Sequence, residues 1–375
     1  MHPQQLPAWA PVLSDGSVTL RAHGPQDVDG VLAQCTDPVT QRWTTVPVPY
    51  RRSDAEEFVA GREREWNAGR YLGLAVEVDG RFAGTVDVRP DGARAASVGY
   101  GLGPWARGSG ITTRALRLLL PWALEALDLD VVHWEAVAGN WGSRKVAWSV
   151  GFRVEGTVRG LLADRGHRAD AWLGSLCRSD PLHPVRPWHT PPELTGPGVL
   201  LRPHGPDDAA PMALACADPA IQYWLPQLPS PYEVLDAQAH LEHLREAHAT
   251  GDGLYWAVCT PDGALIGEVG LFGLAGGASR SAELGYWTHP GHRRNRLTTT
   301  AVRLAARHAL LPVDVGGLGL ARVVIRAAEG NLGSQRVALG AGFRPAGVDR
   351  AAELLRGGQV ADLLRFDLIA QECPW

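Results

Sequence analysis

The strongest constraint on this chain is that it nearly repeats itself. "VTLRAHGPQDV" from Val18 returns as "VLLRPHGPDDA" from Val199, and "DPVTQRW" from Asp37 returns as "DPAIQYW" from Asp218. "VGYGLGP" from Val98 is answered by "LGYWTHP" from Leu284. "GNWGSRKVAWSVGF" from Gly139 is answered by "GNLGSQRVALGAGF" from Gly330, and Asp170 by Asp362. Matches in one order through both halves predict two copies of one domain, each of ordinary single-domain size. We expect these domains over 1–180 and 198–375. Between them, residues 181–197 form a proline-rich linker expected to be semi-extended.

Each copy reads as a mixed α/β unit. In the first, a strand at Val18–Arg21 precedes a helix entered at Pro25, where proline suits the first turn. After a proline-rich elbow a second helix is expected, capped by Ser53 with Glu56 three residues on. Strands follow at Leu72–Val78 and 81–88, with Asp79-Gly80 as the tight turn between them. A strand at 98–102 meets a Gly-containing turn. From Ile111 apolar residues then recur at three- and four-residue steps, giving a helix that Pro121 should kink or end. A strand at Val131–Val137, a helix from about Ser143 to Gly151, and a final hairpin at 152–161 and His167–Cys177 complete the copy.

The turn 107–110 carries the first functional signal. A strand, a Gly-containing turn and a helix start make an anion site, because the first helical amides have no intrahelical partner. Gly108 and Gly110 let a phosphate approach the backbone. The P-loop pattern is excluded, since Gly110 is followed by Ile111 and Thr112 and not by Lys and Ser/Thr. The three-glycine dinucleotide fingerprint is excluded by its spacing and by the turn's position in mid-domain.

Arg107-x-x-Gly110-x-Thr112 instead resembles the Gln/Arg-x-x-Gly-x-Gly/Ala pyrophosphate loop of the GCN5-related N-acetyltransferases (GNAT). The flanking "GYGLGPWARGSG" is similar to their ribosomal-protein-alanine acetyltransferase branch. The resemblance implies two tandem acetyltransferase folds, each a mixed, mostly antiparallel sheet flanked by helices. It implies acetyl-coenzyme A as cofactor, held by Tyr100, Leu102, Arg107, Gly108, Ser109, Gly110, Ile111 and Thr112. Asn140 and Ser143, in a segment similar to the branch's Asn-x-x-Ser…Gly-Phe, are expected at the pantetheine arm and near the thiol. Asn140 or Ser143 acting only as a helix cap is the plainer alternative.

Amide formation needs a base for the amine and an acid for the leaving thiolate. The tyrosine many acetyltransferases place four residues before Gly-Phe is Ala147 here, which leaves Ser143 as the substitute acid. Glu135, with His133 on the same strand face, is the nearest base; a structural salt bridge is the alternative for Glu135. Trp43 and Trp141 are the first aromatics expected to line an acceptor pocket.

The copies differ at the loop. Arg293 and Thr298 match Arg107 and Thr112, but Arg296 replaces Gly110, and Glu283 stands where the first copy has Ser97. A side chain at 296 is expected to crowd the backbone approach and to disfavour positive φ. The first copy is therefore expected to be catalytic and the second degenerate. The implied activity is acetyl transfer to a primary amine of a small molecule or a protein N-terminus. A non-catalytic acyl-CoA sensor or scaffold, or a relative using another acyl donor, stays open.

Composition adds boundaries. With 36 Lys+Arg against 40 Asp+Glu the net charge is −4, which gives no bulk electrostatic case for nucleic acid. Five scattered cysteines without CxxC spacing argue against a zinc site or a disulfide framework. The N-terminus lacks a basic-then-apolar leader, and no apolar run reaches the ~18 residues of a membrane span. A cytoplasmic monomer or homodimer, without metal or membrane partner, is the expectation.

Overall fold

The computed structural model describes residues 10–275 and 280–373. The first nine residues of the N-terminal stretch read above lie outside them. The chain divides into two compact units after Val185.

The first unit runs β1 (Leu13–Ser14), β2 (Val18–Arg21), α1 (Val28–Thr36), α2 (Pro38–Trp43), α3 (Arg52–Asn67), β3 (Leu72–Val78), β4 (Arg81–Pro90), β5 (Ala95–Leu102), α4 (Ile111–Ala126), β6 (Val131–Val137), α5 (Trp141–Ser149), β7 (Arg153–Asp164) and β8 (His167–Cys177). Its sheet has the order β1-β2-β3-β4-β5-β6-β8-β7. Every pairing is antiparallel except β5 with β6.

The second unit repeats this as β9 (Leu194–Gly196), β10 (Val199–Arg202), α6 (Ala209–Cys216), α7 (Pro219–Trp224), α8 (Val234–Thr250), β11 (Gly253–Cys259), β12 (Leu265–Phe272), β13 (Ser281–Thr288), α9 (Leu297–Leu310), β14 (Arg322–Ala328), α10 (Leu332–Gly340), β15 (Arg344–Leu354) and β16 (Val360–Ile369). The strand order is the same, with β13 and β14 as the parallel pair. Part of the expected linker is thus edge strand β9, and Pro192 accepts a hydrogen bond from Trp256 Nε1 at 2.8 Å.

The core of the first unit lies where α4 covers the sheet. Leu116, Leu119, Leu120 and Ala123 pack against Leu74, Val86, Val98 and Trp134, all nearly inaccessible. On the opposite face α1 packs on β4 and α3 on β3. In α4, Pro121 neither ends nor restarts the helix. It sits on the exposed side, where the carbonyl four residues back can turn to water while the buried face holds the helix together. The α3 cap also differs from expectation. Arg51 is the N-cap, and its N–H donates to Asp54 Oδ2 at 2.6 Å. Ser53 lies inside the first turn, and Glu56 pairs with Arg52. Helix α5 begins at Trp141, two residues before the expected Ser143.

Paired side chains repeat with the fold. Arg21–Asp27 recurs as Arg202–Asp208, and Asp170 and Asp362 each accept a backbone N–H from the facing strand.

Candidate active site

The parallel pair at the sheet's centre opens into a fork. β5 and β6 are in register only from Ala95↔Val131 to Val98↔Trp134. Beyond that point Gly99–Leu102 pair with β4 alone. The edge of β5 facing β6 thus carries peptide groups with no strand partner, which suits a ligand that can hydrogen-bond as a strand does.

At the end of the fork stands the loop. Gly108 (φ 76°) and Gly110 (φ 78°) are left-handed, and Gly110 is the N-cap of α4. A Cβ at either position would meet nothing of the protein within 4 Å. Gly108, Ser109 and Gly110 are exposed, whereas Leu102 and Ile111 are buried on either side and hold the loop to the core. Ser109 Oγ donates to Ala106 O at 2.8 Å, and Thr112 is half-buried in the first turn of α4.

Arg107, expected at the cofactor, makes several contacts with the protein itself. Its NH2 donates to Asp37 Oδ2 at 2.6 Å and to Thr40 Oγ1 at 2.7 Å, and its Nε donates to Leu102 O at 3.2 Å. Asp37 also caps α2, accepting from Thr40 N. Burial opposes ionisation of Asp37, but Arg107 and the Thr40 amide hold its pKa below the usual range. The guanidinium is therefore a strut between the loop and α2. The sequence reading missed Asp37 here, although its repeat in "DPAIQYW" was the available signal. Arg293 makes the same contact with Asp218 at 2.6 Å.

Asn140 and Ser143 come together at the start of α5. Asn140 Oδ1 accepts from Ser143 N at 3.1 Å, so the plainer capping role is realised, and the amide NH2 stays available as a donor. Ser143 Oγ accepts from Trp134 Nε1 at 3.1 Å and donates to Tyr100 OH at 3.0 Å; Tyr100 OH donates to Ser143 O at 2.8 Å. Burial pushes the Tyr100 phenol well above its ordinary value. Both hydroxyl protons are thus committed within a closed network that ties β5, β6 and α5 together. Tyr286 and Ser334 repeat the tyrosine–serine part of this arrangement in the second unit, where Ile325 stands in the place of Trp134. A hub of this kind predicts that Ser143→Ala loosens α5, lowering the unfolding free energy by about 1 kcal/mol. Urea titration of the full chain measures this.

Glu135 is exposed on β6, and among the described residues no ion pair reaches it. It shares a sheet face with His133, opposite buried Trp134. Trp43 and Trp141 are half-buried beside the β6–α5 turn. Trp43 Cη2 lies 3.8 Å from where a Gly139 Cβ would stand, and Trp141 packs on Trp172 with ring centroids 4.7 Å apart. Arg144, itself buried, lies over both Trp141 and Trp172.

The second unit carries a cleft of about 1330 Å³ along its own fork, lined by Trp224, Tyr286, Arg294, Arg296, Asn331 and Leu332 among others. Arg294 (φ 65°) and Arg296 (φ 64°) hold the left-handed conformation that the first unit gives to glycines. The expected aversion to positive φ is overridden there, at a cost of about 1 kcal/mol or more per residue. No carboxylate among the described residues pairs with Arg294, Arg296 or Arg336, all of which line this cleft. No group of three or more His, Cys, Asp or Glu among the described residues is placed to hold a metal ion. No described helix is long and apolar enough to cross a membrane.

Comparison with known proteins bears on this geometry. The family model described as the acetyltransferase (GNAT) domain matches residues 17–153 and again 199–344. A Bacillus subtilis protein named "Putative ribosomal N-acetyltransferase YdaF" is 37% identical over 87 residues, 23% of this chain and 48% of that protein. "Probable N-acetyltransferase YjcK" of the same organism is 33% identical over 124 residues, 33% of this chain and 62% of that one. The match therefore spans about half to three-fifths of these curated relatives. Among solved structures, Mycobacterium smegmatis RimJ in complex with CoA-disulfide is 26% identical with a TM-score of 0.42, covering 46% of this chain and 90% of that one.

Proposed function

Since this chain belongs to the acetyltransferase (GNAT) family, we propose that it is an N-acyltransferase that moves an acetyl group from acetyl-coenzyme A to a primary amine. The acceptor is a small molecule or a protein N-terminus. The observation that carries this reading is the fork between β5 and β6, with the glycine loop at the head of α4 beyond it. Such a fork offers strand-like hydrogen bonds to a pantetheine arm, and the loop offers free helix amides and a positive dipole to a diphosphate. Arg107 ties the loop to Asp37 and Thr40, and the Asn140 NH2 is a donor for the arm.

The ammonium gives up one proton, and the nitrogen lone pair attacks the thioester carbonyl carbon. The C–S bond breaks, and the second N–H proton passes to the departing thiolate. Glu135, exposed and unpaired on the acceptor-side face, is our candidate for taking the first proton, directly or through one water. Ser143 and Tyr100 act as positioning residues, because their protons hold the network. Thiol release with acetyl-coenzyme A and a panel of primary amines tests the reading. Glu135→Gln is expected to lower kcat by about 100-fold at unchanged donor affinity. Absence of thiol release with every amine would defeat the reading.

A second reading is favoured by the cleft of the second unit: that unit also holds a coenzyme A-type ligand. Its unpaired arginines supply to phosphate as charge what the glycine loop supplies as backbone. The acceptor chemistry is then confined to the first unit.

A further inference from the structure

Each unit ties the end of its second helix to the tip of its last hairpin through one arginine, and the two reach this by different local means. In the first unit the β7–β8 turn is Arg165-Gly166, closed by the pair Asp164↔His167. Both turn residues are left-handed, Arg165 at φ 41° and Gly166 at φ 86°. The first place of such a turn favours Asn, Asp or Gly, so local preference argues against an arginine there. Its contacts supply the reason. Arg165 NH2 donates to Gln41 O at 2.6 Å and to Thr44 O at 3.1 Å, with Val46 O at 3.4 Å.

In the second unit the last hairpin pair is Leu354↔Val360, which leaves the longer turn 355–359. Arg356 nevertheless reaches the matching helix end, its Nε donating to Gln222 O at 3.0 Å and its NH2 to Leu228 O. Gln41 and Gln222 are one position of the repeat. Two turns of unlike length bring a guanidinium to the same carbonyl, so the contact belongs to the site and not to the turn.

The helix end so held carries a tryptophan. α2 has six residues, and a helix that short owes its place to its contacts. Arg107 grips its N-terminal end through Asp37, and Arg165 grips carbonyls at its C-terminal end that have no intrahelical partner. Trp43 is the last residue of α2, between the carbonyls that Arg165 binds. Its repeat Trp224 stands over Gly330 as Trp43 stands over Gly139, with Cη2 3.2 Å from that residue's Cβ position. Trp224, Gly330 and Asn331 line the second unit's cleft together with Glu353 of the hairpin. Arg356 thus joins two walls of that cleft.

The units differ in what else holds the helix. Leu355 and Leu363 of the second hairpin pack with Tyr223 and Trp224, and Tyr223 OH donates to Gln359 Oε1 at 3.0 Å. In the first unit Asp164 and Arg42 stand in the places of Leu355 and Tyr223. Polar side chains replace the apolar seam there, and the hold falls to Arg165. Its side chain is 38% exposed, so it can be exchanged without opening the core.

We propose that Arg165 is a positioning residue for acyl transfer in the first unit, setting Trp43 against the β6–α5 turn that carries Asn140 and Ser143. This role rests on the N-acyltransferase reading above and adds to it a residue outside the fork and the loop. Reacting groups slightly misplaced lose rate even while both ligands still bind. The two grips on α2 are therefore separable: Arg107 at one end governs donor binding, and Arg165 at the other governs turnover.

Thiol-release kinetics of the full chain test this, with acetyl-coenzyme A and the best used of glycinamide, spermidine and an alanine-initiated tetrapeptide. Arg165→Ala should lower kcat about 10-fold, with acetyl-coenzyme A affinity by calorimetry within about 2-fold of wild type. Arg165→Lys, whose ammonium brings three donors to the same carbonyls, should recover most of the loss. Unchanged turnover in Arg165→Ala, or a loss matched by an equal loss of donor affinity, would overturn the role. Hydrogen exchange read by mass spectrometry gives a second measure that needs no acceptor. In Arg165→Ala, exchange should rise over 41–46 and 138–143 and stay unchanged over 107–114. A rise confined to the hairpin tip would overturn the role. If the wild type releases no thiol with any amine, the transfer reading fails, whereas exchange spreading to 138–143 would still uphold the positioning of Trp43.

Discussion

Replacing Arg107 by leucine is expected to weaken acetyl-coenzyme A binding by the first unit at least 100-fold and to lower that unit's stability by about 2 kcal/mol. The guanidinium joins the Leu102 carbonyl at the end of β5 to the Asp37 cap and the Thr40 hydroxyl of α2. Removing it leaves a half-buried carboxylate held only by its cap amide and frees the chain just before Gly108. The loop must hold its left-handed residues in place for the first amides of α4 to converge on a phosphate. Asp37→Ala separates this account from a direct phosphate contact. A strut fails when either end is removed, so Asp37→Ala should also lose binding. An arginine that itself gripped phosphate would be freed by Asp37→Ala, and binding would hold or improve. Calorimetry on the two variants measures the difference.

Replacing Glu268 by glutamine is expected to destabilise the second unit by about 2 kcal/mol near pH 6. Glu268 is buried between His240 Nε2 at 3.0 Å and His204 Nε2 at 3.2 Å. Burial alone would raise its pKa, but the two histidines pull it well below the usual carboxylate range. Burial acts to lower the His240 pKa, and Glu268 more than reverses this, so that it lies above 6.5. The stabilisation from Glu268 is present above its ordinary pKa of 4.5 and is lost as pH falls through the depressed value. That from His240 is complete below 6.5 and is lost as pH rises through the raised value. The difference between wild type and Glu268→Gln should therefore be largest between pH 4.5 and 6.5 and shrink in alkali. The cost stays below that of a stranded buried charge, because His240 can shed its proton when the carboxylate is gone. Urea unfolding at pH 6 and pH 9 tests this, and an equal difference at both would mean that the pair is not ionised.

Much of the fold was legible because it rests on local pattern, read twice. Apolar spacing located α4, and the Asp79-Gly80 turn that located β3 and β4 has positive φ at both residues. One misreading came where tertiary packing overrode local preference, the other where a different local partner won. Pro121 stays inside α4 because the buried face of the helix outweighs one missing hydrogen bond. The α3 cap moved because Asp54, two residues before Glu56, reached the free amide first.

At the site, the glycine loop was legible, since φ > 0 and open approach demand that residue type. The contact between Arg107 and Asp37 was not, because the two stand 70 residues apart in the chain. At Arg296 positive φ was expected to be disfavoured, yet the backbone keeps the left-handed geometry there.

The most direct test of the central claim is calorimetric titration of the full chain with acetyl-coenzyme A, repeated with Arg107→Leu and with Arg294→Glu/Arg296→Glu. Two binding events are expected. One should vanish with Arg107→Leu together with all thiol release. The other should weaken as salt rises and vanish in the double variant, with thiol release retained. No binding by the wild type, or binding and thiol release that survive Arg107→Leu unchanged, would contradict a coenzyme A-dependent transferase built on the first unit's loop.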